Sequence, residues 1–171
     1  MKYLNVEIKA RCRNQKNIRA LLESKKADFK GLDHQVDTYF KVKQGRLKLR
    51  EGNIENALIF YERNNKTGPK KSKTTLFKLN SGSSLKEILI KFLEVLVIVD
   101  KQREIYFISN VKFHIDTVKG LGTFIEIEAI DKNGIIGSKE LHEQCQFYLD
   151  LLKIREKDLI PHSYSDLLLS L

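Results

Sequence analysis

Apolar and polar residues alternate over residues 2–13, where Val6 and Ile8 interleave with Glu7 and Lys9. This two-residue period predicts a β-strand with two chemically unlike faces. Residues 36–42, 46–51 and 57–63 read as further strands, separated by Gln44-Gly45 and Gly52-Asn53, which predicts an antiparallel meander. Strand-like runs return at 94–108, 111–118 and 123–130, with Gly120-Leu121-Gly122 between the last two. Helical spacing interrupts them. Asn14 is placed to cap a helix to about residue 26, with Ile18, Leu21 and Leu22 on one face. Residues 84–92 predict a second short helix. Ser138 opens a third that runs to about 152, and Ser163 a short terminal one. Leu141, Cys145, Tyr148, Leu149 and Leu152 form a packing stripe on the third helix. Residues 64–73, NNKTGPKKSK, read as a loop, and 74–79 as a strand. About eight strands with short connections favour an antiparallel α+β domain over 1–171 that closes towards a barrel. A parallel sheet would need a crossover helix after nearly every strand.

The chain's 171 residues suffice for a real core without staples. The start, MKYLNVEIKA, carries charges where a signal sequence needs an apolar run, and the longest apolar run, 95–99, is strand length. A cytoplasmic protein without a membrane partner is expected. Without a secretory signal, no disulfide framework is expected of the two cysteines, Cys12 and Cys145; they are too few for a cysteine-only zinc site, and both read as plain small residues. The four histidines, His34, His114, His142 and His162, show no triad arrangement.

A net charge of +9 favours anionic partners, but charge alone does not choose among them. Position on the strands adds more. Glu7 and Lys9 share a face, as do Arg46, Lys48 and Arg50; Lys101 and Arg103 are two apart, and so are Glu126 and Glu128. Each pair alone could be a wet outer face. Together, Lys9, Lys48, Arg50, Arg63, Lys101 and Arg103 would line a tunnel that repels itself when empty and calls for an anion of high charge density, such as a triphosphate. Carboxylates in such a site need a cation between them and the phosphates. Glu126 and Glu128 could reach one Mg²⁺ or Mn²⁺, with Glu7 and Asp116 as further candidates.

At these residues the chain resembles the CYTH superfamily of triphosphate tunnel metalloenzymes, in its class IV adenylate cyclase-like branch. The family signature Glu-x-Glu-x-Lys is met by Glu7 and Lys9, while Asn5 stands where the first Glu belongs. HQVDTYF (34–40), GRLKLRE (45–51), LIFYER ending at Arg63, GPKKS (68–72), VDKQREIYF (99–107), HIDTVKGLGTFIEIE (114–128) and SYSDLL (163–168) follow in the family's order. The resemblance implies an antiparallel eight-stranded β-barrel-like tunnel with surrounding helices, and use of Mg²⁺ or Mn²⁺. It implies phosphate ligands at Lys9, Lys48, Arg50, Arg63, Lys101 and Arg103, with Lys71 closing over the substrate from its loop. Metal carboxylates are implied at Glu126 and Glu128, assisted by Glu7, and Glu7, Lys9 and Arg63 fall in the catalytic centre. A neutral Asn5 would weaken a second metal position. Three activities stay open: cyclisation of ATP to cyclic AMP and pyrophosphate, hydrolysis of tripolyphosphate or thiamine triphosphate, and non-catalytic binding of polyphosphate or RNA. Nucleic acid is the less favoured partner, and a homodimer is left open.

Overall fold

A computed structural model describes residues 2–63, 65 and 67–171. Eight strands form a closed antiparallel barrel: β1 (Lys2–Arg11), β2 (Asp28–Phe40), β3 (Arg46–Gly52), β4 (Ala57–Arg63), β5 (Lys70–Lys78), β6 (Val95–Ile108), β7 (Val111–Val118) and β8 (Gly122–Asp131). Their order around the barrel is β1-β5-β4-β3-β2-β6-β7-β8. Helices α1 (Gln15–Ser24), α2 (Leu85–Phe92), α3 (Ser138–Leu151) and α4 (Tyr164–Leu169) surround it, with a 3-10 turn at Glu156–Asp158. None of these helices is long and apolar enough to cross a membrane.

The apolar core lies outside the barrel wall. Val6, Ile8 and Ala10 of β1, Phe113 and Ile115 of β7, and Ile125 and Ile127 of β8 pack beneath Ile18 and Leu22 of α1 and Leu141, Cys145 and Leu149 of α3. Each large side chain buried there contributes about 1.5–3 kcal/mol of transfer free energy. Cys12 and Cys145 are both buried and free, and burial pushes the Cys145 thiol up to about 12. Because the strands alternate, residues between these apolar ones point into the barrel. That is why Glu7, Lys9, Lys112, His114, Glu126 and Glu128 line a cavity. A second apolar cluster of Tyr39, Val99, Val118, Phe124 and Tyr164, backed by Ile160, Leu167 and Leu168, sits at one end of the barrel. The Ser163/Asp166 capping box fixes the start of α4 there. Ile160 N–H also donates to the Lys9 carbonyl at 2.8 Å.

Two expectations need correction. Strand β2 starts at Asp28, eight residues before the expected 36, because its outer half is too polar to show a core period. The loop expected over 64–73 is shorter, since β5 already begins at Lys70; of its residues, Asn64 and Lys66 lie outside those described. Lys70, Ser72 and Thr74 are buried while Lys71 and Lys73 are exposed. A polar interior inverts the usual period, so a lysine-rich stretch that looks like loop is barrel wall.

Candidate functional site

The barrel encloses a cavity of about 280 Å³. Register brings its chemistry together: β1 and β8 pair Glu7 with Glu128 and Lys9 with Glu126. Lys9, Lys48, Arg50, Arg63, Lys101, Arg103, Glu7, Glu126 and Glu128 all line the cavity. Lys71 does not: it sits on the outer face of β5, and Lys70 takes the inward place, donating to the carbonyls of Ile160 at 2.8 Å and Pro161 at 3.2 Å. Asp116 is not among the residues that line the cavity. Opposite Arg103 in register, it receives Arg103 Nε at 2.7 Å and Nη2 at 2.5 Å, and Tyr164 Oη at 2.7 Å. It is wholly buried and positions Arg103.

The tunnel is less starved of counter-charge than the sequence implies. Asp37 of β2 accepts from Lys48 at 2.8 Å, Lys101 at 2.7 Å, and Arg50 at 2.8 and 3.1 Å. Burial alone would raise the Asp37 carboxyl, but Arg50, Lys101 and Lys48 hold it well below the usual carboxylate range. Glu55, from the β3–β4 turn, reaches Arg50 at 2.9 Å and also binds Lys112. Described lining residues carry eight Lys or Arg and five Asp or Glu, so three positive charges remain in excess. Burial depresses Lys101 to about 7 and Lys70 to about 8.

Among the described residues lining the cavity, Arg63, His114 and Asn5 carry buried polar atoms without a partner. Arg63 spends one N–H on Glu7, but its Nε and Nη2 are buried with no acceptor. His114 Nδ1 lies 3.1 Å from Glu126 Oε2. Burial drives the imidazole down to about 3, with Arg103 and Lys112 adding to the shift, so it is neutral. Glu126 is held ionised by Lys9, Arg103 and His114 against the effect of burial, so Nδ1 carries the proton. His114 Nε2 is then a bare acceptor, buried and unpartnered.

Glu128 differs from the other carboxylates. Burial raises its pKa and the nearby Glu7 and Glu126 raise it further, against Lys112 and the amide of Asn5. Asn5 Nδ2 donates to Glu128, and Asn5 Oδ1 is buried without a partner. Crowded carboxylates beside an orphaned amide oxygen form an oxygen donor set that fits a hard divalent cation. Among the described residues, no three His, Cys, Asp or Glu already converge on one point. Glu7 and Glu126 are instead paired with Arg63, and with Lys9 and Arg103.

Sequence reasoning missed Asp37, Glu55 and Lys112 as cavity-lining residues and Lys70 as a buried residue of β5. Asp37 and Lys112 had a usable signal, each lying two residues from another inward position, Tyr39 and His114. Glu55 had none, because it sits in a turn.

The chain is thus a closed barrel with a charged interior and its apolar core on the outside. The CYTH domain family matches residues 4–164, and the chain belongs to that family. Among solved structures, the PH1012 protein of Pyrococcus horikoshii OT3 is similar at 23% identity and TM-score 0.76, covering 95% of this chain and 98% of its own. A candidate adenylate cyclase from Vibrio parahaemolyticus is 18% identical with TM-score 0.76, covering 96% and 97%. HpAC1 from Hippeastrum, a candidate adenylyl cyclase with a dominant triphosphatase activity, is 10% identical with TM-score 0.64, covering 98% and 95%. At these identities the likeness is one of fold. No curated protein sequence matches the chain.

Proposed function

We propose that this chain is a metal-dependent enzyme acting on a triphosphate, of the adenylate cyclase-like kind that converts ATP to cyclic AMP and pyrophosphate. The observation that carries the reading is Arg63, which lines the cavity and whose Nε and Nη2 are buried without an acceptor, a deficit that phosphate oxygens would fill. Lys9, Lys48, Lys101 and Arg103 supply further donors, and Asp37 and Asp116 hold the last three of these in place before the ligand arrives. Such preorganised donors act on charge as it develops on the phosphoryl group. Glu7, Glu126 and Glu128, with Asn5 Oδ1, would hold Mg²⁺ or Mn²⁺, which offsets phosphate charge and makes a nearby hydroxyl more acidic. His114 Nε2 accepts the O–H of the incoming nucleophile, a ribose hydroxyl in cyclisation or a water in hydrolysis.

Hydrolysis of a triphosphate such as tripolyphosphate or thiamine triphosphate uses the same residues, and the bare His114 acceptor suits it equally. A non-catalytic polyphosphate or RNA binder is favoured only by Asn5 and by the lack of preformed convergence among the carboxylates. The test is to incubate the pure protein with ATP, tripolyphosphate and thiamine triphosphate, each with Mg²⁺ or Mn²⁺, and to separate the products. Cyclic AMP with pyrophosphate supports cyclisation, and orthophosphate supports hydrolysis. Tight binding without turnover on all three would sink both enzyme readings.

A further inference from the structure

Among the described residues, Glu55 is the one cavity-lining carboxylate that no strand carries. It lies between β3 and β4, and the turn around it is over-determined. The buried Asp33 carboxylate accepts the backbone N–H of Ile54 at 2.8 Å and of Glu55 at 3.0 Å. Asn56 clamps Gly52 from both sides, accepting from its N–H at 3.1 Å and donating to its carbonyl at 2.8 Å. A Cβ on Gly52 would stand 2.7 Å from both Asp33 Oδ1 and the Glu55 carbonyl, so only glycine allows this close approach. A turn held this firmly is built to aim its side chain. Glu55 Oε2 meets Arg50 Nη1 at 2.9 Å and Gln35 Nε2 at 3.1 Å, and Oε1 meets Lys112. Arg50 is on β3 and Lys112 on β7, with β2 and β6 between them, so the carboxylate spans the bore.

The two ends of the cavity differ. Ile160 and Tyr164 pack over the end at Lys9, where Lys9 Nζ lies over the Tyr164 ring. Glu55 stands towards the other end, beside Ile54, which is 44% exposed. A triphosphate carrying a bulky group therefore enters with its free phosphate towards Lys9 and Arg63, and the attached group leaves past Glu55. There an uncharged ester group meets Glu55 without charge repulsion. A further ionised phosphate has to displace the carboxylate from Arg50 and Lys112, or lie beside it.

We propose that Glu55 is a tethered anion occupying the outer phosphate position of the tunnel, which selects triphosphates that continue as an uncharged ester over inorganic chains that continue as phosphate. This rests on the triphosphate reading of the same site. The test is calorimetric binding of ATP and inorganic tetrapolyphosphate to the full chain in metal-free buffer, so that no turnover intervenes. Glu55→Gln keeps the side chain's shape and removes its charge. Its ratio of tetrapolyphosphate to ATP affinity is expected to rise about tenfold over the unmodified protein, the size of one charged hydrogen bond exchanged. Lys112→Gln leaves Glu55 with less compensation and is expected to move the ratio the opposite way, which keeps the test open if Glu55→Gln folds poorly. An unchanged ratio overturns the proposal, even if both affinities rise together. Absence of binding by either ligand to the unmodified protein, both without metal and with Mg²⁺ added, overturns the triphosphate reading and this proposal with it.

Discussion

Replacing Asp37 by Asn tests whether the tunnel is held ready for an anion by its own carboxylates. Asp37 is the shared acceptor of Lys48, Arg50 and Lys101, all at 2.7–3.1 Å. The amide keeps the shape, leaves Lys48 and Lys101 without their counter-charge, and leaves Arg50 with Glu55 alone. Removing one partner of a buried ion pair costs about 3–5 kcal/mol. For a domain of this size each kcal/mol lowers the melting temperature by about 2–4 °C, so a drop of about 6–20 °C is expected. Tripolyphosphate should recover much of it, since ligand at a hundred times its Kd contributes about 2.7 kcal/mol. The variant's shift should exceed the unmodified protein's, because Lys48 and Lys101 have been released for the ligand. The sign with pH is also set. Asp37 is held well below its unfolded value, so its contribution is present above pH ~4 and is lost as pH falls further, and the two melting curves should then converge. The assay is thermal unfolding with and without tripolyphosphate from pH 3 to 8. A drop under about 3 °C, or a ligand shift no larger than in the unmodified protein, would refute the reasoning.

Lys101, depressed to about 7, must take up a proton to meet an anion, so triphosphate affinity should fall by up to about tenfold per pH unit above 7. Burial of the same lysine costs the ligand-free chain stability below pH ~7, and that cost is relieved as pH rises from ~7 to ~10, where the unfolded chain holds a proton that the folded one lacks. Calorimetry from pH 6 to 9 reads the first effect, and a flat profile would contradict it. Glu126→Gln or Glu128→Gln should abolish turnover on whichever triphosphate is used, and near-normal rates would remove these residues from the metal assignment. Asn5→Glu sets a carboxylate beside Glu128, whose pKa is already raised, so it should lower the melting temperature in chelator and enlarge the rise produced by Mn²⁺. Equal Mn²⁺ shifts in both proteins would count against a cation at this position.

The barrel was legible because β1, β3, β7 and β8 each show a clean two-residue period, and the charged face of that period turned out to be the inside. The same inversion hid the start of β5, since hydrophobicity cannot distinguish Lys70, whose head reaches carbonyls within the fold, from Lys71 in solvent. Asp116 was legible as an inward acid but not as the holder of Arg103. That role depends on β6–β7 register and on Tyr164, 48 residues away in the chain. Glu55 was invisible because its position comes from Asp33, Gly52 and Asn56 together, and no local pattern encodes such a turn. The expected self-repulsion was overstated for the same reason, since Asp37 and Glu55 supply counter-charge from positions the charge pattern did not single out.

The account's central claim is that one triphosphate sits inside this barrel and completes Arg63. The most direct measurement is calorimetric titration of a non-hydrolysable ATP analogue into the protein and its Arg63→Gln variant. One ligand per chain is predicted, with affinity falling by about tenfold or more in the variant, as expected when charged hydrogen bonds are lost from a buried site. Absence of binding, or equal affinity in the two proteins, would contradict it.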